Sequence, residues 1–289
     1  MELKDYQVKV VARLKDYLTA LSEFRDKFIK AIEFDPEMAL DYNFPRRAWE
    51  KAVNGMYHSY TNGIGEPLPE FYLKVPTGGG KTLLACHAID LINKTYLKRQ
   101  TGLVLWIVPT TQIYRQTILT LKNREHPYRQ ALDISSGGRT LIKEKTDHFN
   151  RLDVLENLVI LMLMLPSANR QNKETLKIFQ DAGGFTDFFP QEDNYELNAK
   201  LLKEVPNIDC YTTLGLELET DSLGSVHLTQ PKTSLGNTLR LLKPIVIIDE
   251  GHKAYSVNAR ETIRNFNPSI VVELSATPPK GTNLSLIHI

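Results

Sequence analysis

The sequence has few cysteines, no apolar run long enough for a membrane span and almost no net charge, and each shortage excludes a class of protein. Its two cysteines, Cys86 and Cys210, are too few for a disulfide framework, and neither lies in a zinc-type Cys/His spacing. The apolar run at residues 158–165 suits a buried strand rather than a bilayer. A formal net charge of +1 gives no overall basic field, so nucleic-acid contacts would need local patches. The predicted setting is a reducing cytoplasm, without a membrane.

What the sequence does have is a helical start followed by a series of apolar strands. Apolar residues recur in steps of three and four over residues 3–32, which predicts an amphipathic helix, and a second helix is predicted at residues 45–60. The predicted strands are continuous apolar runs at residues 71–75, 103–108, 158–165, 245–248 and 270–274. Such strands are typical of a parallel sheet covered on both faces. We therefore predict an α/β fold with a doubly wound, mostly parallel sheet, helices on both faces and an N-terminal helical extension.

The apolar pattern also predicts how the chain is divided. Its 289 residues are enough for one large or two ordinary domains. We predict an N-terminal helical region at residues 1–66 and one α/β domain at residues 67–280. Residues 166–243 within it have a weaker pattern, rich in Asp, Glu, Asn and Gly, and are predicted to be an insertion at the edge of the sheet. Residues 281–289 stop before the helix and strand that the alternation requires, so we expect a truncated or non-native tail.

The run VPTGGGKT, at residues 75–82, has the composition of a phosphate-binding loop between a strand and a helix. Its glycines allow the backbone N–H groups to converge where the positive end of the next helix lies. Lys81 is expected to reach the outer phosphates of a nucleotide, and the Thr82 hydroxyl to bind Mg²⁺. The general pattern has Gly where Val75 stands. The alternative, a glycine-rich turn with a chance lysine, is disfavoured by the Gly-Lys-Thr ending after an apolar strand.

Two adjacent carboxylates, Asp249 and Glu250, end the fourth apolar strand. Asp249 is expected to hold Mg²⁺ through its water shell. Glu250 is expected to orient the attacking water, because phosphoryl transfer depends on positioning and charge neutralisation. A solvated acidic turn is the alternative, and it loses force beside a phosphate-binding loop. We expect both carboxylates to converge with Lys81 and Thr82 at the carboxyl ends of adjacent parallel strands.

The fifth strand ends in SATPP, at residues 275–279, with two hydroxyls and two prolines. Alone, this is an ordinary exit from a strand into a loop. Together with the loop and the carboxylates, it is interpreted as a coupling element.

VPTGGGKT, IIDEGH and SATPP, in this order on successive apolar strands, resemble motifs I, II and III of superfamily 2 helicases of the DEAD/DEAH-box type. Helicase-type P-loops lack the first glycine, which fits Val75. Residues 3–7 (LKDYQ) resemble the adenine-recognising Q motif, and residues 104–116 resemble motif Ia, which touches the nucleic-acid backbone. PTGGGKT, Pro-Leu-Pro at residues 67–69 and DEGHKAYS are most similar to the restriction (Res) subunits of type III restriction-modification enzymes. The resemblance runs from residue 3 to about residue 280 and implies a RecA-like fold.

The resemblance implies a role for each matching residue of an ATP site. Catalysis is assigned to Lys81, Asp249 and Glu250. ATP and Mg²⁺ are assigned to the P-loop, with Asp249 as a second metal contact, and the P-loop residues are Gly78, Gly79, Gly80, Lys81 and Thr82. Adenine is assigned to Tyr6 and Gln7, which could equally be core and surface residues of an amphipathic helix. Coupling of the ATP state to the grip on DNA is assigned to His252, Ser275 and Thr277, although a lone histidine is more often structural.

Polar residues after two of the predicted strands are assigned to nucleic acid, and they are Thr110, Thr111, Arg115, Asn169 and Arg170. Hydroxyls, amides and guanidinium groups suit phosphate contacts, which fix position without reading sequence. The alternative for each residue is a polar loop that caps the next helix.

The whole pattern implies the ATP-binding and ATP-hydrolysing N-terminal lobe of a superfamily 2 DNA helicase or translocase. No second phosphate site is recognisable after residue 280, so we expect the chain to need a missing second RecA-like lobe and to hydrolyse ATP weakly without it. The implied partners are DNA, duplex or single-stranded, and a modification (methyltransferase) subunit. Two alternatives remain, which are a nucleotide-switched binding module without productive turnover and the lobe of an RNA helicase.

Overall fold

The computed structural model describes residues 3–35, 42–53, 55–164, 184–211, 230–250, 257–278 and residue 283. Its strands are β1 (Tyr60–Thr61), β2 (Pro67–Leu68), β3 (Glu70–Lys74), β4 (Gly102–Val108), β5 (Thr140–Glu144), β6 (Leu158–Met164), β7 (Cys210–Tyr211), β8 (Gln230–Pro231), β9 (Ile245–Asp249) and β10 (Ile270–Ser275). Its α-helices are α1 (Asp5–Phe34), α2 (Phe44–Ala52), α3 (Lys81–Leu91), α4 (Thr111–Lys122), α5 (Pro127–Ser136), α6 (Arg151–Glu156), α7 (Tyr195–Glu204), α8 (Leu235–Leu242) and α9 (Val257–Arg264). A π-helical turn at Ile92–Leu97 extends α3, and a 3-10 turn lies at Thr186–Phe188. No helix in these ranges is both long and apolar enough to cross a membrane.

Six strands form one sheet in the order β3-β10-β9-β4-β6-β5, and every neighbouring pair in it is parallel. Two short antiparallel pairs, β1 with β2 and β7 with β8, lie outside this sheet. Because all six strands run in one direction, their carboxyl ends share one edge of the sheet. The loops after β3, β4, β9 and β10 therefore begin at that edge.

Both faces of the sheet are covered by helices, as the continuous apolar strands predict. In β4, Val104, Trp106 and Val108 belong to the core under α1, α2, α3, α4 and α5. Leu103, Leu105 and Ile107 alternate with them and belong to the core under α6, α8 and α9. All seven residues of β4 are buried, which is why the strand has no polar alternation.

The N-terminal helices pack directly on the first face of the sheet. Tyr17 of α1 is fully buried and makes edge contacts with Trp49 of α2 and Phe71 of β3, with ring centroids 5.4 and 5.2 Å apart. α1 is one unbroken helix of 30 residues. The division at residues 66 and 67 stays a prediction, and α1 and α2 share one hydrophobic core with the sheet.

Two local predictions differ from the structure. The helix expected at residues 45–60 ends at Ala52, and the chain then folds back so that Tyr57 packs on Trp49, with ring centroids 5.7 Å apart. The edge strand β5 was not predicted, because Thr140 is buried while the next four residues are only half-buried and two of them are charged. A strand without a continuous apolar run carries little signal in the sequence.

Candidate functional site

The loop between β3 and α3 has the tight backbone that its glycines predict. Gly78 and Gly80 have φ angles of 75° and 74°, which is the left-handed region that side chains disfavour. Gly80 is also the N-cap of α3. A Cβ atom on Gly79 would lie 2.8 Å from the Pro76 carbonyl oxygen, so this position is restricted to glycine by space rather than by φ.

Val75, which departs from the general phosphate-loop pattern, directly follows the last residue of β3 and precedes the turn. Its side chain is fully buried in the core of the first face. Its N–H donates to the Ser275 carbonyl of β10 over 2.9 Å. An apolar residue suits this position because the turn begins only at Pro76.

Lys81 and Glu250 form an ion pair across the site, between Nζ and Oε1, although 169 positions separate them in the sequence. The Lys81 side chain is 9% exposed and that of Glu250 is 28% exposed. Glu250 has a φ angle of 56°, and its N–H donates to the Leu274 carbonyl over 2.9 Å. The left-handed turn thus directs the chain away from β9 directly after Asp249.

Asp249 lies beside this pair and is 6% exposed. Burial raises the pKa of Asp249 from 3.8 to about 6, while Lys81 lowers it and Glu250 raises it further. The charged carboxylate is therefore costly in the protein alone. A cation close to Asp249 would remove that cost, which is the environment expected of a metal ligand.

The strand that leads into the phosphate loop, β3, and the strand that ends at Asp249, β9, are not adjacent, in contrast to the expectation. β10 lies between β3 and β9, and it pairs with both of them in parallel. Ser275 accepts from Val75 on one side, and Leu274 accepts from Glu250 on the other. The strand that ends in Ser-Ala-Thr thus joins the phosphate loop to the two carboxylates, and Lys81 crosses above it to reach Glu250.

Tyr6 and Gln7, near the start of α1, both bond to the phosphate loop. The Tyr6 hydroxyl and the Gln7 side-chain amide donate to the Gly79 carbonyl over 2.6 and 3.0 Å. Gln7 is 3% exposed, and its Oε1 accepts from the backbone N–H of Lys4. These contacts hold the loop against α1, and the assignment of both residues to adenine stays a prediction.

The remaining predicted residues lie around this edge or outside the described part of the chain. Ser275 is buried, and its Oγ accepts from the N–H of Thr277, which is exposed. His252, Asn169 and Arg170 are not among the described residues. Their assigned roles stay predictions.

Thr110, Thr111 and Arg115 are exposed at the start of α4, which follows the carboxyl end of β4. The Thr110 hydroxyl caps α4 by accepting from the Ile113 N–H over 3.3 Å. The Thr111 hydroxyl donates to the Met164 sulfur over 3.6 Å. The three residues thus lie together at the start of α4. The helix-capping alternative applies to Thr110, whose hydroxyl caps this helix.

Two features of the site were missed in the sequence. One is the Gly79 carbonyl as the acceptor for α1, and the other is the central position of β10. The order of the strands depends on pairing between distant segments, so no residue of β10 marks its central position. No local pattern marks the first, because a backbone carbonyl carries no residue identity.

The fold and the site together define a superfamily 2 helicase-like nucleotide-binding module, built on a RecA-like parallel sheet. A family model described as "Type III restriction enzyme, res subunit" matches residues 1–280 of the chain. The chain belongs to this family, which confirms the resemblance and the fold class predicted from the motifs. A comparison with curated proteins gives no significant match.

Proposed function

We propose that the chain binds ATP with Mg²⁺ and hydrolyses it as the N-terminal motor lobe of a type III restriction-type DNA helicase or translocase. The observation that carries the proposal is the contact between Lys81 and Glu250 at the carboxyl edge of the sheet. A phosphate-loop lysine and a strand-end carboxylate within reach of one another are what nucleotide hydrolysis requires.

The residues present fit a magnesium–nucleotide complex. The described residues contain no group of three or more His, Cys, Asp or Glu side chains that could hold a metal ion by itself. Mg²⁺ is usually bound by one or two protein ligands together with waters and substrate phosphates, so Thr82 and Asp249 would suffice. When bound, the ion would neutralise phosphate charge and the charge of the buried Asp249.

The ion pair indicates how the chain's own groups change partners. Phosphate oxygens are strong acceptors, and they would compete with Glu250 for the Lys81 ammonium group. Once Lys81 turns to phosphate, the Glu250 carboxylate can accept a hydrogen bond from the attacking water and orient it. Gly78, Gly79 and Gly80 would contribute backbone N–H groups to the same phosphates.

DNA is the proposed polymer, held through Thr110, Thr111 and Arg115. Their support is exposure at the same edge of the sheet as the phosphate loop, on a helix N-terminus that attracts phosphate. Asn169, Arg170 and the coupling residues His252, Ser275 and Thr277 are proposed by motif position. A second RecA-like lobe and a modification subunit are the proposed protein partners, in the cytoplasm, where Cys86 and Cys210 would stay free thiols.

Glu250→Gln tests the proposal, with Glu144→Gln as a matched control. Glu144 also accepts from a lysine, Lys122, but it lies on the edge strand β5. With the second RecA-like lobe present, we expect Glu250→Gln to keep binding of a fluorescent ATP analogue and to lose DNA-stimulated hydrolysis by about 100-fold or more, because the water loses its acceptor. Glu144→Gln should match the unmodified protein in both measurements.

The outcome also separates the alternatives. A nucleotide-switched module would be favoured by two results together: the unmodified protein does not hydrolyse ATP, and Glu250→Gln keeps both nucleotide binding and the response of partner binding to nucleotide. Stimulation by RNA but by neither duplex nor single-stranded DNA would favour an RNA helicase lobe. A protein that does not bind the analogue at all would contradict the proposal.

A further inference from the structure

The outer edge of β3 needs hydrogen-bond partners, because β3 is the last strand on its side of the sheet. Glu70 and Tyr72 are buried, so backbone groups on that edge cannot rely on water. This strand leads directly into the phosphate loop. What holds its outer edge therefore bears on the position of the loop.

Asn283 fills this edge. Its carbonyl accepts from the Tyr72 N–H over 3.1 Å, and its side-chain Nδ2 donates to the Glu70 carbonyl over 2.9 Å. The same side chain pairs with both backbone groups of His58, since Oδ1 accepts from the N–H and Nδ2 donates to the carbonyl over 2.7 Å. Asn283 is fully buried. Its amide thus acts as an extra peptide group between the edge of β3 and the segment before β1.

The two edges of β3 are bonded by residues only eight positions apart in the sequence, Ser275 and Asn283. On the inner side, Val75 donates to Ser275 at the end of β10. On the outer side, the Tyr72 N–H donates to the carbonyl of Asn283, which lies eight positions after Ser275 in the sequence. The phosphate-loop strand is therefore bonded on one edge by Ser275 and on the other by Asn283.

We propose that Asn283 is a positioning residue for the phosphate loop. By bonding the outer edge of β3 while Ser275 bonds the inner edge, it fixes the strand from which the loop starts. Asn283 then acts on the loop through β3, without contact between Asn283 and nucleotide. The affinity readout rests on the proposed nucleotide binding, whereas the exchange readout does not.

A second asparagine supplies a matched control. Asn237 of α8 is also fully buried, and it pairs with both backbone groups of Asp209 while donating to the Lys232 carbonyl. Its neighbour Arg240 donates both to Asn237 Oδ1 and to the Asn265 carbonyl in the loop before β10. This network lies toward the amino ends of the strands, away from the phosphate loop. Substitution of either asparagine removes side-chain hydrogen bonds of the same kind.

The experiment compares Asn283→Ala and Asn283→Asp with Asn237→Ala and Asn237→Asp, by amide hydrogen exchange and by titration with a fluorescent ATP analogue and Mg²⁺. Both variants lose the Nδ2 donor to the Glu70 and His58 carbonyls, whereas Asn283→Asp keeps an acceptor for the His58 N–H. We therefore expect both variants to lose protection in residues 76–82 and to bind the analogue about fivefold more weakly, and Asn283→Ala to lose protection at His58 as well. Asn237→Ala should lose protection at Asp209, whose N–H donates to Asn237 Oδ1, and both Asn237 variants should bind within about twofold of the unmodified protein, because the sites are independent.

Equal losses of affinity in the two pairs of variants, or unchanged exchange in residues 76–82 of the Asn283 variants, would overturn the proposal. If the unmodified protein did not bind the analogue, the proposed function would fail, and exchange in residues 76–82 would still decide the role of Asn283. Should both Asn283 variants fail to fold, exchange of the unmodified protein decides: protected amides at His58 and Tyr72 support the proposal, and unprotected ones overturn it.

Discussion

Two clusters of buried charge lie on the same sheet, and they differ in how firmly their charges are paired. At the carboxyl edge, Lys81 forms an ion pair with Glu250 beside the buried Asp249. Under α9, Arg264 bonds Glu70 through two nitrogens, over 2.9 and 3.0 Å. Arg260 bonds Glu273 over 3.0 Å. The first cluster can exchange partners, and the second is held by several bonds at once.

The choice of cation explains this difference. A guanidinium group matches a carboxylate with two parallel hydrogen bonds, whereas an ammonium group acts as a point charge on a flexible stem. Arg264 also lies over the ring of Tyr60, with its Cζ 4.2 Å from the ring centroid. A structural cluster gains from such fixed geometry. The proposed ATP site has to release its lysine to a ligand and needs the opposite. Under this proposal, one cluster serves stability and the other serves function.

Arg264→Ala should have the largest effect, and the effect should be on stability. Glu70 is 4% exposed, so removal of Arg264 leaves a buried carboxylate with a poorer set of partners. We expect a loss of about 3–5 kcal/mol in the free energy of unfolding, measured by urea denaturation. Arg264→Lys should lose less, because it keeps the charge. An Arg264→Ala protein with unchanged stability would remove the distinction between the clusters.

Lys81→Ala should act on function in the first cluster. We expect the affinity for an ATP analogue with Mg²⁺ to fall about 100-fold, because the phosphates lose their buried cation. Lys122→Ala is the control, since Lys122 also pairs with a carboxylate, Glu144, over 2.6 Å. Titrations that give the same affinity for the two variants would contradict the assignment of Lys81.

Asp249→Asn should stabilise the metal-free protein. The folded-state pKa of Asp249 is raised, so its contribution to stability is present below the ordinary value of 3.8 and is lost as the pH rises through about 6. At pH 7 the neutral asparagine should therefore be more stable by about 2 kcal/mol. Thermal unfolding in the presence of a chelator, at acidic and neutral pH, measures this. If Asp249→Asn gained as much stability at a pH where Asp249 is protonated, the buried charge of Asp249 could not be the cause of the gain.

Tyr6→Phe should have the smallest effect. It removes one of two bonds to the Gly79 carbonyl while Gln7 keeps the other, which predicts a loss of about 1 kcal/mol in the free energy of unfolding. Exchange of the loop amides should rise together with this loss. Tyr114→Phe is the control, because its hydroxyl bonds Glu144 outside the loop over 3.0 Å. If the loop amides exchanged at the same rate in both variants, the Tyr6 hydroxyl would have no specific role in stabilising the phosphate loop.

The sequence predicts those parts of the molecule that depend on local pattern. Continuous apolar runs predict β4 and β6, because both faces of these strands are buried. The phosphate loop is predicted because its backbone needs glycine at particular positions, Gly78 and Gly80. Both features depend on residues that are consecutive in the sequence, so they can be recognised without knowledge of the rest of the chain.

What could not be predicted depends on partners that are distant in the sequence. Nothing in residues 270–275 indicates that β10 lies between β3 and β9. Nothing local marks Asn283 or Asn237 as different from surface asparagines. Likewise, the charges of Glu70 and Arg264 are unremarkable until the fold places them in contact over 194 positions. The role of a polar residue depends on its partners in the tertiary structure, whereas apolar periodicity can be recognised within a short stretch of sequence.

The position of β10 has a consequence for the synthesis of the protein. The phosphate-loop strand β3 is made early, but its ladder partner β10 follows roughly 200 residues later. At ribosomal speeds this delay is on the order of 10 s or more. During that time the loop sequence exists without the strand that fixes it and without Glu250. The proposed ATP site is thus assembled only near the end of this region, and a ribosome-bound N-terminal portion does not contain it.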